Sequence, residues 1–62
     1  MVSGMRAFLV DDEELALKRL ARLLQAAGRI EVIGTSTDPL SAIPRIIEHA
    51  PELLFLDIEM PD

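Results

Sequence analysis

The amino-acid sequence predicts an α/β fold built on a parallel sheet. Three short apolar segments are spaced along the chain, and an amphipathic helical pattern lies between each pair. Strands that alternate with helices favour parallel pairing through right-handed crossovers. Acidic residues follow the first and third apolar segments directly. The predicted element order is β-α-β-α-β.

The first strand and helix have clear boundaries. Residues 6–10 are mostly apolar and stop at four consecutive acids, which is typical of a strand buried on both faces. Apolar residues then recur at i, i+4, i+7, i+8 and i+11 and predict one buried helix face, formed by Ala16, Leu20, Leu23, Leu24 and Ala27. Gly28 follows at the position of a helix C-cap.

The second helix has two possible starts. Residues 30–34 predict the strand before it. Asp38 is a suitable N-cap with Pro39 at the first helical position, but Pro44 then lies inside the helix, where it removes a hydrogen bond. Alternatively, Ser41 is the N-cap and Pro44 falls in the first turn. We favour the longer helix.

The third strand is predicted over residues 53–56, a continuous apolar segment that ends at Asp57. The second helix must end before Pro51. In sheets of this type, the active crevice lies beyond the carboxyl ends of the strands. The residues that follow the first and third strands are therefore the candidates for chemistry.

Composition excludes several classes of protein. The 62 residues form at most one small domain, and the chain contains no cysteine, which excludes disulfides and thiolate zinc sites and favours a cytoplasmic location. A formal net charge of −5 argues against nucleic acid or an anionic membrane as a partner of this chain. No apolar segment is long enough to span a bilayer.

Seven of the eleven acids lie just after the first and third predicted strands: Asp11, Asp12, Glu13, Glu14, Asp57, Glu59 and Asp62. If these strands are neighbours, Asp11, Asp12 and Asp57 converge at one edge of the sheet. Clustered carboxylates repel one another unless a cation lies between them, and oxygen ligands suit Mg²⁺. Glu13 and Glu14 have a simpler explanation as acids at a helix N-terminus. The pattern predicts a magnesium site for phosphoryl chemistry.

Two motifs resemble the receiver domain of two-component response regulators. They are Leu-Val-Asp-Asp-Glu over residues 9–13 and Leu-Phe-Leu-Asp-Ile-Glu-Met-Pro over residues 54–61. Residues 14–20 and the Asp-Ile-Glu-Met-Pro segment are most similar to receivers that precede LytTR-type DNA-binding domains. The resemblance implies a flavodoxin-like fold in which this chain supplies strand order 2-1-3.

The resemblance also implies roles for individual residues. Asp57 would accept a phosphoryl group from a histidine kinase, Asp12 would be the main Mg²⁺ ligand with help from Asp11, and Glu59 would contribute its backbone carbonyl. Residues 1–4 would be an extension, and residues 5–62 the first part of a receiver, ending after its third strand. We therefore expect a non-enzymatic phosphoacceptor that belongs to a transcriptional regulator.

Some residues that family receivers use have no counterpart here. The chain lacks the Ser/Thr and Lys that hold the phosphate, and its third strand would be an exposed edge, which predicts self-association. Two alternatives are a half-domain that only self-associates, without chemistry, and a Toprim-like metal-dependent phosphoryl-transfer domain. A basic stripe on the first helix is a weaker candidate for docking a kinase partner: Lys18, Arg19 and Arg22.

Overall fold

The computed structural model describes residues 4–57 and contains five elements in the predicted order. They are β1 (Met5–Asp11), α1 (Glu14–Ala27), β2 (Ile30–Ser36), α2 (Pro39–His49) and β3 (Leu53–Asp57). Both β2 and β3 pair with β1 in parallel, so the strand order is β2-β1-β3. The α/β class and the order 2-1-3 are confirmed. Within this part of the chain, no helix is both long and apolar enough to cross a membrane.

The central strand β1 contributes to two apolar clusters because its side chains alternate between the sheet faces. Ala7 and Leu9 pack with Leu17 of α1 on one face. Phe8 and Val10 pack with Ala42 of α2 on the other. These six residues are buried, so the core is concentrated around β1.

The buried face of α1 differs from the prediction. Leu17 is buried and Leu24 is half-buried, whereas Leu23 is 69% exposed and Ala27 is exposed. The helix packs over β1 and β2, the two strands that it connects. Its Leu23 side therefore has no strand beneath it among residues 4–57, and the true contact face is centred on Leu17.

The longer form of α2 is confirmed. Asp38 is the N-cap, and its Oδ1 accepts a hydrogen bond of 3.2 Å from the backbone N–H of Leu40. Pro39 occupies the first helical position, and Pro44 lies inside the helix. The cap and the favourable proline at the start offset the hydrogen bond that Pro44 removes.

A β-bulge interrupts β2. Ala7 pairs with Val32 and Phe8 pairs with Gly34, so Ile33 is the extra residue. A Cβ at Gly34 would lie 2.6 Å from Cε2 of the fully buried Phe8. The bulge thus places a glycine where the Phe8 ring crosses β2, and any larger residue would collide with the ring.

Arg6 makes a group of hydrogen bonds at the amino end of β1. Arg6 Nη2 donates to the carbonyl of His49 at 2.8 Å, and Nη1 donates to the carbonyl of Ala50 at 3.4 Å. The backbone N–H of Arg6 donates to Glu52 Oε1 at 2.9 Å, and its carbonyl accepts from the N–H of Glu52. Arg6 therefore joins the end of α2 to the segment that leads into β3.

Candidate functional site

The carboxyl ends of β1 and β3 bring two aspartates together. Asp11 and Asp57 are the last residues of these strands, and their Cα atoms are register partners. Asp12 follows Asp11 in the turn that leads to α1. The parallel topology therefore produces the convergence that the sequence predicts.

These aspartates share a cleft of about 290 Å³ with Glu13 and Ala16 of the following turn and helix. Among residues 4–57, five line this cleft; four of them are acidic, and none is Lys or Arg. The cleft is therefore strongly negative. From the sequence, Glu13 was expected only to favour the helix N-terminus, and Ala16 was not expected at the site. The packing of α1 determines which of its sides faces β3, and the sequence does not show that packing.

Asp11 is fixed more firmly than the other two aspartates. It is 7% exposed, and its Oδ1 accepts a hydrogen bond of 2.9 Å from the backbone N–H of Glu13. This contact holds the turn between β1 and α1 and satisfies one oxygen of a buried carboxylate. Asp12 and Asp57 are exposed. The site thus combines one anchored carboxylate with two accessible ones.

The donor set fits a magnesium ion in its chemistry. Mg²⁺ binds through one or two carboxylates and retains several waters, and the cleft offers carboxylate oxygens on three aspartates. Among residues 4–57, no group of three or more His, Cys, Asp or Glu side chains is placed so that it could hold a metal ion. Glu59, whose backbone carbonyl is the further predicted ligand, lies outside the described residues.

A larger cleft of about 470 Å³ lies at the carboxyl end of β2. Lys18 of α1 and Arg45 of α2 both line it, together with Thr35 and Thr37. Sequence analysis did not identify Arg45, since its position over β2 depends on how α2 docks. Lys18, Arg19 and Arg22 of the predicted basic stripe are all exposed.

Comparison with known proteins places this geometry in a family. The chain is 44% identical to an uncharacterized response regulatory protein of Vibrio cholerae over 55 residues, which are 89% of this chain and 23% of that protein. It superposes on the signal receiver domain of the response regulator NarL from Mycobacterium tuberculosis with a TM-score of 0.86 and 30% identity, covering 95% of this chain and 48% of that structure. The chain is a partial receiver domain.

Other relatives of this receiver domain correct one expectation. It is 45% identical, over 56 residues, to a protein-glutamate methylesterase/protein-glutamine glutaminase of Anaeromyxobacter dehalogenans, covering 90% of this chain and 16% of that protein. Because proteins with this receiver include named enzymes, the expectation of a non-enzymatic protein is wrong. No protein-family model matches the chain.

The receiver domain spans about a quarter of the length of the first regulatory relatives. The names of these relatives support a role in two-component signalling. They do not test the similarity to LytTR-type receivers, which stays a prediction. The structural neighbours are receivers, which removes support from the Toprim-like alternative. The domain boundary at residue 5 also stays a prediction.

Proposed function

We propose that this receiver domain accepts a phosphoryl group on Asp57 from the phosphohistidine of a histidine kinase. The observation that carries the proposal is the acidic cleft, in which Asp57 lies beside Asp11 and Asp12 at the carboxyl edge of the sheet. An exposed carboxylate at this place is accessible to a partner protein. The anchored Asp11 keeps the neighbouring turn in position.

The transfer follows from the chemistry of the two groups. An oxygen of the Asp57 carboxylate forms a bond to phosphorus while the P–N bond of the phosphohistidine breaks. The histidine nitrogen keeps the electron pair of that bond and takes up a proton from solvent. The product is an acyl phosphate, which adds negative charge to a cleft that already contains four carboxylates.

This charge explains why a cation is needed. Asp12 and Asp57 would hold Mg²⁺ directly, and Asp11 would assist through water or hydrogen bonds. A bound Mg²⁺ would offset the charge of the carboxylates and of the phosphate oxygens at the same time. The protein contributes the placement of the carboxylates: Asp11 is fixed by the N–H of Glu13, and Asp12 follows it directly.

Intact mass spectrometry tests the proposal. The chain is incubated with Mg²⁺ and a small acyl-phosphate donor, and one phosphoryl adduct that hydroxylamine removes is expected. Asp57→Asn should abolish the adduct. Asp12→Asn should reduce its rate at least about tenfold, which corresponds to the loss of one charged contact to the metal.

A matched control is Glu31→Gln, which removes another exposed carboxylate near the start of β2 and should leave the adduct unchanged. Phosphorylation that persists in Asp57→Asn would disprove the assignment. A folded chain that forms no adduct would instead support the alternative of a half-domain that only self-associates.

The proposed kinase partner follows from the family, and its docking surface follows from the positive charge on α1. A histidine kinase is the proposed donor, and the basic side chains of α1 are its proposed docking surface. The predicted cytoplasmic location and a transcriptional output from the whole protein belong to the same proposal. For a polypeptide of these 62 residues, we also propose association with a second copy through the β3 edge.

A further inference from the structure

We propose that the cleft at the carboxyl end of β2 binds a small oxyanion, a phosphate or carboxylate group, through Arg45 and Lys18. The cleft is separate from the acidic cleft, and the described residues that line it lie between Glu14 and Arg45. At about 470 Å³, it is within the usual size range of small-ligand sites. Nothing in the proposal depends on phosphorylation of Asp57.

Arg45 is held in place before any ligand arrives. Its Nη1 donates to the backbone carbonyl of Thr35 at 3.0 Å, and its guanidinium carbon lies 5.1 Å from the centroid of the Phe8 ring. The bulge and Gly34 make this approach possible, because a Cβ at Gly34 would collide with the Phe8 ring on which Arg45 lies. A fixed guanidinium loses little further freedom when it binds an anion.

The hydrogen-bonding capacity of Arg45 is not used up by these contacts. A guanidinium has five N–H donors, and the hydrogen bond that the structure shows for Arg45 uses one of them on a backbone carbonyl. The residue is exposed, so the other donors can reach a ligand. Lys18 lines the same cleft from α1 and adds a second positive charge.

The remaining polar side chains refine the class of ligand. Thr35 and Thr37 are exposed residues of the lining and offer hydroxyl donors, whereas the Ser36 hydroxyl is engaged with the backbone of Asp38. Glu14 also lines the cleft, and its negative charge opposes an anion. A small anion beside Arg45 and Lys18 is therefore favoured over a large polyanion that would also contact Glu14.

Titration with inorganic phosphate, monitored by amide chemical shifts, tests this site. The protein is first treated with EDTA and then exchanged into buffer without EDTA or divalent cations, so the acidic cleft has no cation to attract phosphate. Saturable shifts are expected at residues 35–37 and at Lys18. Arg45→Gln should weaken binding about tenfold or more, as expected when a charged hydrogen-bond donor is removed.

Two further variants keep the test valid if Arg45→Gln fails to fold. Lys18→Gln changes an exposed helix residue and should weaken binding severalfold, whereas Glu14→Gln removes the opposing charge and should strengthen it. Arg29→Gln is the matched control: it makes the same charge change at an exposed residue after α1, outside the lining, and should have little effect.

Comparison of ligands distinguishes the source of the anion. Tighter binding of a phosphoserine peptide than of phosphate would identify a phosphorylated partner, and equal binding would identify a free anion; either supports the site. A linear drift of shifts that is the same in wild type, Lys18→Gln and Glu14→Gln would overturn the proposal.

Discussion

The two edges of the sheet are built in opposite ways. The β2 edge contains a bulge and a charged exposed residue, Glu31, and the guanidinium of Arg45 donates to the carbonyl of Thr35. These are features that discourage pairing with another chain. The β3 edge is uncharged from Leu53 to Leu56, and its register with β1 is regular.

The side chains of β3 are also less covered than those of the neighbouring strand β1. Leu54 and Leu56 are register partners of Phe8 and Val10, which are buried on the α2 face of the sheet. Nevertheless, Leu54 is 47% exposed and Leu56 is 57% exposed. Apolar residues of a sheet face normally gain stability by being covered. Among residues 4–57, the β2 edge is therefore protected against pairing with another strand, whereas β3 leaves large apolar side chains exposed.

The largest expected effect comes from placing charges on the β3 edge. The double substitution Leu54→Lys/Leu56→Lys should raise the dissociation constant for self-association at least about 100-fold. Burial of a leucine contributes about 1.5–3 kcal/mol, and two charges oppose pairing of the strand. Sedimentation velocity over a concentration series measures the change.

Leu15→Lys is the control for that experiment. Leu15 is 64% exposed on α1, which packs over β1 and β2, so a lysine there should leave association unaltered. If the wild-type chain is monomeric at all concentrations, or if the double variant associates as tightly as wild type, the β3 edge is not the interface.

The second prediction concerns the protected edge. Gly34→Val should lower the free energy of unfolding by about 3 kcal/mol, because even a single Cβ would lie 2.6 Å from the buried Phe8 ring. Urea denaturation measures the loss. Thr35→Val, at an exposed position of the same strand, should change stability by less than about 0.5 kcal/mol.

Equal effects of the two valine substitutions would show that the Phe8 ring can move aside. The bulge would then be a flexible irregularity, and the contrast between the edges would depend on charge alone.

Much of the fold could be predicted because its signals are local. The alternation of apolar segments determined the order of elements, and the Asp38–Pro39 pair identified the start of α2. The rule that parallel strands end at one edge, together with the order 2-1-3 that the receiver resemblance implies, placed Asp11 beside Asp57. None of these predictions requires knowledge of how side chains pack.

The features that were not predicted depend on packing or on the conformation of a turn. Leu17 becomes the centre of the α1 face only because the helix lies over β1 and β2. The bulge at Ile33 and the position of Arg45 over Phe8 require the register of β2 and the docking of α2 to be known. The anchoring of Asp11 by the Glu13 N–H likewise follows from the conformation of the turn.

The third prediction concerns the amino end of β3, where Arg6 joins three elements. Arg6→Met keeps an apolar side chain of similar reach but removes the donors to His49 and Ala50. Stability should fall by about 1–2 kcal/mol, and amide exchange should accelerate near residue 50. Arg19→Met, at an exposed position of α1, serves as the control. Unchanged exchange near residue 50 would show that Glu52 alone holds this end.

The smallest effect is expected at Arg45, and it separates two kinds of edge protection. Arg45→Gln removes the contact with the Phe8 ring and weakens the donor to Thr35, which should cost about 1 kcal/mol in urea denaturation. Association should not increase, because the bulge and Glu31 still interrupt the β2 edge. If Arg45→Gln does associate more strongly, the Leu54→Lys and Leu56→Lys changes are added to it. Loss of the new association would then indicate that the two edges are coupled. Association that persists would indicate that Arg45 itself is the main barrier to pairing at β2.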